Sequence, residues 1–348
     1  INPVFIMDLL VVALSGVMSD VTHIEANRVN SLSPFGPAVM EEQGVGIKVS
    51  EFAQALLELS KPIDPFDMPL LDAHGATLAR DVYAGERLVL REGSRIRSTQ
   101  IGLAASIGLD RLPTRPQPRV VVISAGNDLV EPGQKLIDAN DEFETNSWLL
   151  TTAVKEAGAV GYRVHMIPET DAALKDIIED QLVRADLIVI SGEREDESFD
   201  LITGVLQQLG MVTAVTPNIE GSGNHNYGTI GPDKTPVVTL PGDPISAYIS
   251  AELFIRPMIR SMMGLRDLHR PVIKTKLTND VLSEAGVHSF IRAVFPSEAD
   301  KSKVTAIENQ SDLVGLSDAH GLIVIPEDLT NVKAGSEVDL LLLERRFN

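Results

Sequence analysis

The chain has 348 residues, a formal charge of −19 and no cysteine. That charge argues against broad binding to nucleic acid or an anionic membrane, both of which need a basic footprint, and the missing cysteine excludes disulfides, thiolate zinc sites and cysteine nucleophiles. With 44% hydrophobic residues the chain is globular and long enough for more than one core.

Val4 to Met18 is the one membrane-like run. It is short for a span and Asp8 interrupts it, so a docked terminal segment is expected rather than a transmembrane helix. Residues 1–46 read as an irregular N-terminal segment, with Ser31-Leu-Ser-Pro-Phe-Gly-Pro37 as its linker-like part. From Lys48 the texture changes: Phe52, Leu56, Leu57 and Leu59 space an amphipathic helix that stops before Pro62. A polar, glycine-bearing stretch follows to Gly93. Thr99 to Gly108 reads as a small helix and Arg111 to Pro118 as a proline-rich connector.

Val120-Val-Val-Ile-Ser124 has the unbroken apolar character of a strand buried on both faces. Helical stripes follow over 146–156, 171–184 and 199–209, alternating with strands over 162–167 and 187–190. The strand Val237 to Leu240 and the long segment Pro244 to Met263 complete the pattern. Strands and helices alternating in this way predict an α/β domain of three layers with a mostly parallel sheet. Ligands then bind at the carboxyl ends of the strands, which singles out loops 124–133, 191–198 and 241–246. After Leu265, short apolar runs at 272–277, 289–295, 322–325 and 338–343 predict a small C-terminal β-rich domain.

Each loop has a chemical and a plain reading. Ser124-Ala-Gly-Asn-Asp-Leu129 offers backbone N–H groups to an anion and Asp128 to a metal, and it equally fits a tight turn with a solvated acid. In Pro241-Gly-Asp-Pro-Ile-Ser246, Asp243 suits the helix N-cap and Pro244 the first turn, which leaves N–H groups aimed outward or simply capped. Glu193, Glu195, Asp196 and Glu197 crowd the loop after the third strand, where a solvated charge run is the plain alternative to a cation site. His225 and His288 lie in glycine-bearing loops and read as surface residues.

In order and spacing these segments resemble the molybdenum-insertion family, the molybdopterin molybdenumtransferases and gephyrin E domains. The likeness runs from Lys48 to the C-terminus. It rests on Ser124-Ala-Gly-Asn-Asp-Leu129 (family S-T-G-D-E-L), Thr145-Asn-Ser147 (family D-S/T-N-S), Ser191-Gly192 after Leu187-Ile-Val-Ile190 (family S-G-G-V-S-V-G-D-Y-D) and Leu240-Pro-Gly-Asp-Pro-Ile-Ser246 (family L-P-G-N-P-V-S).

The resemblance implies four parts: 1–46, a linker-domain remnant over 47–116, a molybdopterin-binding-like domain over 117–265 and a β domain over 267–348. It also implies a cytoplasmic homodimer that inserts molybdate into adenylated molybdopterin with magnesium. Asp128, Glu169 and Asp200 would then be the catalytic carboxylates, with Asp128 on the metal. Ser124, Gly126, Asn127, Asn146, Ser147, Ser191, Gly192, Pro241, Gly242, Asp243 and Ser246 would line the substrate.

Against the family pattern, Asn127 and Asp128 replace a pair of acids, Ser198 replaces an aspartate, and Glu193 and Glu197 replace glycines. Thr216, Glu220 and Gly223 stand where family lysines are expected. The family's P-P-F-D-x-S-x-M-D-G-Y-A segment is missing, together with about a hundred residues, the size of one small domain. Impaired or lost insertion activity is therefore expected. The alternative is a non-catalytic, gephyrin-like dimeric scaffold with a protein partner.

Overall fold

A computed structural model describes residues 46–126, 129–138, 141–166, 170–192, 196–297, 300–310 and 312–343. The irregular segment expected over 1–46 therefore lies almost wholly outside the described residues.

The chain enters through β1 (Gly46–Ile47) and α1 (Val49–Leu59). Phe52 and Leu56, four residues apart on one helical face, are fully buried. A small layer follows: β2 (Phe66–Pro69), β3 (Thr77–Leu78), β4 (Val82–Ala84), β5 (Arg87–Leu90), α2 (Ser98–Ser106) and β6 (Arg111–Arg115). β2, β6 and β3 form one sheet and β4–β5 a hairpin, closed over Leu78, Val82, Ile96, Ala104 and Leu112. Residues 111–115 are thus a strand and not the expected connector. Leu112 and Thr114 point inward with the two-residue period of a strand, a signal that Pro113 and the prolines after it obscure.

The central unit consists of β7 (Arg119–Ala125), β8 (Leu129–Val130), β9 (Glu142–Phe143), α3 (Asn146–Ala157), β10 (Val160–Met166), α4 (Asp171–Leu182), β11 (Leu187–Ser191), α5 (Asp196–Leu209), β12 (Gly210–Pro217), β13 (His225–Ile230), β14 (Thr235–Leu240), α6 (Pro244–Ser250), a π-helical turn (Ala251–Ile255) and α7 (Arg256–Met262). Its sheet has the order β1-β12-β13-β14-β11-β7-β10. β14, β11, β7 and β10 are mutually parallel, whereas β13 runs antiparallel to both its neighbours.

Successive strand residues face opposite sides and meet different helices. Val120, Val122, Leu187, Val189, Val238 and Leu240 pack with Phe52, Leu150, Val154, Phe254 and Met258 on one face. Val121, Ile123, Ile188, Ile190 and Val237 pack with Leu174, Ile178, Ile202, Val205 and Leu206 on the other. Burial on both faces explains the unbroken apolar runs and confirms the expected three layers. β12 and β13 escaped sequence detection because polar residues and glycines interrupt them. Gly228 is required there: a Cβ at this position would collide with the Met211 carbonyl across the β12–β13 pair.

The remaining elements are β15 (Val272–Leu277), β16 (Val281–Leu282), β17 (Ser289–Val294), β18 (Lys303–Ala306), α8 (Leu313–Asp318), β19 (Gly321–Ile325), β20 (Asn331–Val332) and β21 (Glu337–Leu342). β15, β18, β17, β19 and β21 close into a barrel around Ile291, Ala293, Val304, Ile323 and Leu340. The four runs expected to be strands became β15, β17, β19 and β21. β18 was missed because Lys303-Val-Thr-Ala306 carries no continuous apolar signal. Leu322, Leu341 and Phe290 of the barrel pack with Tyr248 and Leu253 of the central unit. Arg270 fastens the connection by two hydrogen bonds to the buried Glu252 carboxylate, at 2.7 and 2.8 Å.

Candidate functional site

Strand register assembles the site. Ser191 at the end of β11 lies opposite Ser124 on β7 and opposite Leu240 on β14, so the three loops leave the sheet side by side. β12 and β14 are both antiparallel to β13, so the loop after β12 emerges at this same edge.

Asn146, the first residue of α3, ties these loops together. Its Nδ2 donates to Ser191 Oγ and to the Gly242 carbonyl, both at 2.7 Å, and Ser191 Oγ donates onward to the Pro241 carbonyl at 3.1 Å. Two buried polar atoms at this edge, Asn146 Oδ1 and Ser124 Oγ, have no hydrogen-bond partner among the described residues. Buried oxygens left unpaired are costly, and at a strand-end crevice they mark where a ligand's donors would fit.

Asp243 is the N-cap of α6 and accepts from the Ser246 amide at 2.9 Å, so that N–H is already taken. Ser246 Oγ lies 2.9 Å from Asp243 Oδ2 and 2.8 Å from the Gly221 carbonyl, and its single hydrogen serves one of them at a time. The loop 218–224 is thereby drawn against Pro241–Ser246. Of the three positions expected to hold lysines, Thr216 bonds to Asn224 Oδ1 at 2.6 Å, Glu220 accepts from Ser289 Oγ on the barrel, and Gly223 takes a φ of +66°.

Ser147 is engaged behind the site. Its amide donates to Glu144 Oε1 at 2.7 Å and its hydroxyl to Glu144 Oε2, while Arg163 Nε donates to Ser147 Oγ at 2.6 Å. Arg163 also pairs with Glu131 and lies over the Trp148 ring, 4.1 Å from its centroid. Glu144, only 1% exposed, and Arg163 were not anticipated. The one available signal was a carboxylate three residues before a helical serine, which suits the positive end of a helix.

Gly126 is buried at the end of β7, and Gly192 follows β11. Asp200 is exposed on α5, and among the described residues nothing hydrogen-bonds to its carboxylate. Asn127, Asp128, Glu169, Glu193 and Glu195 lie outside the described residues. Among the described residues no three acidic or histidine side chains converge on a metal-sized site, so the magnesium expectation rests on Asp128.

His225 corrects the sequence reading, since it is wholly buried and not on the surface. Phe52 and Phe254 stack edge-on against it, Nδ1 lies 3.3 Å from the Gly223 carbonyl and Nε2 3.1 Å from Ser250 Oγ. Those partners fit a neutral ring with its proton on Nδ1. Burial pushes its pKa down to about 4, against a smaller opposing effect of the Gly223 carbonyl. Apart from the Asp243 carboxylate, which caps α6, the described edge is thus lined by neutral hydroxyl, amide and backbone groups, suited to the polar rim of a heterocycle.

Two family models match where this geometry lies. The probable molybdopterin binding domain covers residues 121–261, and the MoeA C-terminal region (domain IV) covers 274–343. A third, the 2,4-diaminopentanoate dehydrogenase C-terminal domain, matches residues 5–60, mostly outside the described residues. Molybdopterin molybdenumtransferase 2 of Mycobacterium tuberculosis is 34% identical over 266 residues, which is 75% of this chain and 65% of that protein. Gephyrin of Dictyostelium discoideum is 25% identical over 301 residues, 76% of this chain and 42% of that protein. The chain therefore spans less than two thirds of the length of these relatives. The crystal structure of the molybdopterin biosynthesis MoeA protein from Pyrococcus horikosii superposes with a TM-score of 0.73 at 19% identity, covering 86% of this chain and all of that one, and supports the fold. No helix among the described residues is long and apolar enough to cross a membrane. With both family regions in order and on the expected elements, the chain belongs to the molybdenum-insertion family.

Proposed function

We propose that the chain acts in molybdenum cofactor biosynthesis, taking adenylated molybdopterin across the ends of β7, β11 and β14 and releasing adenylate slowly or not at all. The convergence of Asn146, Ser191 and Gly242, beside the unpartnered Ser124 Oγ and Asn146 Oδ1, carries the binding part of this reading. Those groups would orient the substrate without supplying an acid, base or nucleophile. The slow turnover follows from the residue types at the motif positions: Asn127 and Ser198 remove carboxylates that the family uses. Magnesium would enter through Asp128, molybdate is the second substrate, and the protein is a cytoplasmic homodimer within this reading.

The test is direct. The purified chain is mixed with adenylated molybdopterin, magnesium and molybdate, and both binding and AMP release are measured. We expect saturable binding and AMP release at least about 100-fold slower than from a family member with both motif acids, a barrier difference of about 2.7 kcal/mol. No binding would overturn the site, and release at the rate of that family member would overturn the impairment. Light scattering should give a dimer at micromolar concentration, and a monomer would remove the homodimer from the reading.

The scaffold reading rests on the same departures. It gains ground if the chain is a dimer that neither binds the substrate nor turns it over.

A further inference from the structure

We propose that Glu220 is a positioning residue, which fastens the loop after β12 to the barrel and so sets the wall of the site beside α6. The proposal rests on the ligand-binding reading above for its consequence, though not for its geometry.

The loop 218–224 is held from two sides. On the barrel side, the Glu220 amide donates to the His288 carbonyl at 2.9 Å and the His288 amide donates to the Asn218 carbonyl at 2.8 Å, a parallel bridge centred on Ile219. The Glu220 carboxylate accepts from Ser289 Oγ, and Ser289 is 1% exposed at the start of β17. A carboxylate can only accept, so the Ser289 hydrogen goes to Glu220, and Ser283 Oγ, 2.6 Å away, must donate to Ser289. The chain of bonds therefore runs in one direction, from Ser283 through Ser289 to Glu220.

On the site side, the carbonyl of the next residue, Gly221, lies 2.8 Å from Ser246 Oγ, whose hydrogen it shares with Asp243. Gly221 and Gly223 take φ values of +69° and +66°, a left-handed course that glycine alone adopts at little cost. Between them, Ser222 Oγ is buried and has no partner among the described residues. The barrel fastening and the α6 contact thus fall on adjacent residues.

Glu220 stands where a family lysine is expected, and charge alone would make it an obstacle to an anionic ligand. Its placement gives the opposite sign. A carboxylate directed at the ligand would, when removed, tighten binding, whereas a carboxylate that holds the wall would, when removed, weaken it.

The test compares Glu220→Ala, Ser289→Ala, their double variant and Glu220→Gln in the full chain. Amide hydrogen exchange at Glu220 and His288 needs no ligand, and affinity is read with adenylated molybdopterin as probe. We expect each alanine variant to speed exchange of both amides about tenfold, with no further gain in the double variant. Glu220→Gln keeps an acceptor for Ser289 and should exchange as the unaltered chain does. The probe's Kd should rise about threefold to tenfold in the alanine variants and return in Glu220→Gln, with the unfolding midpoint unmoved. Unchanged exchange in Glu220→Ala, or tighter probe binding in it, overturns the proposal. If the unaltered chain does not bind the probe, the function reading fails, and the exchange rates still decide whether Glu220 holds the loop.

Discussion

Replacing Asn146 by alanine should destabilise the chain by about 2–3 kcal/mol. The side chain is 6% exposed and donates twice from Nδ2, to Ser191 Oγ and to the Gly242 carbonyl. Each net hydrogen bond contributes about 1 kcal/mol, and an acceptor left without its donor in a buried place adds about 1 kcal/mol or more. Ser191 Oγ still reaches the Pro241 carbonyl at 3.1 Å, so the unpaired group is chiefly the Gly242 carbonyl. Urea unfolding followed by fluorescence is well placed to measure this, because Trp148, the chain's one tryptophan, sits two residues further along α3.

Asn146→Asp sharpens the test. A carboxylate offers no donor to the Gly242 carbonyl, and burial raises its folded pKa above its unfolded value near 4. Protonation then favours the folded state, so this variant should gain stability relative to Asn146→Ala as the pH falls through that raised pKa. The reasoning is refuted if Asn146→Ala costs under about 0.5 kcal/mol, or if Asn146→Asp matches the unaltered chain at pH 7.

His225 is held neutral, with a folded pKa of about 4 against an ordinary 6.5. The unfolded chain therefore binds the proton first, and stability contributed by this residue should fall by about 3 kcal/mol as the pH drops from 6.5 to 4. Comparing urea midpoints of the unaltered chain and His225→Gln over that range isolates the effect, and parallel pH profiles would contradict it. Arg270→Ala leaves Glu252, 3% exposed, with Arg256 at 4.0 Å as its one cationic partner among the described residues, and should cost about 3 kcal/mol in thermal unfolding. Arg256 then loses a repulsive neighbour that, after burial itself, holds its pKa down to about 10. A loss below about 1 kcal/mol would show that Arg256 takes over the carboxylate. Gly228→Ala should cost about 3 kcal/mol or abolish soluble expression, because the added Cβ meets backbone at the Met211 carbonyl; an unchanged melting temperature would mean that β12 and β13 can separate freely.

What the sequence disclosed follows from how each element is buried. β7 and β11 lie between two helical layers, so Val120 to Ile123 and Leu187 to Ile190 are apolar on both faces and read plainly. β12 and β13 are built from Met211, Thr213, His225, Asn226 and Gly228; their pairing depends on a missing Cβ, and the Asn226 amide donates to Thr239 Oγ1 on the next strand, β14. No periodicity announces that. The site divides in the same way. Asn146, Ser191, Gly242, Asp243 and Ser246 stand in short motifs at strand ends, and register brings them together. Glu144, Arg163 and the burial of His225 depend on contacts between segments far apart in the chain.

The positions that depart from the family pattern are not equivalent. Counted by charge, Glu220 joins Glu193, Glu195, Asp196 and Glu197 as one of five carboxylates opposing a dianion such as molybdate. One carboxylate about 6 Å from a dianion costs on the order of 5 kcal/mol at an effective dielectric near 20, and water lowers that toward 1 kcal/mol for an open loop. Glu220 keeps its charge, but its carboxylate is directed at Ser289 of the barrel, so its part in the site is set by that contact as well as by its charge. Glu193 and Glu195 lie outside the described residues and enter this sum only as charges of the sequence. The electrostatic case for the proposed slow turnover thus rests on the run of acids that follows β11 in the sequence, while Glu220, in the lysine position after β12, is proposed to hold the wall of the same site.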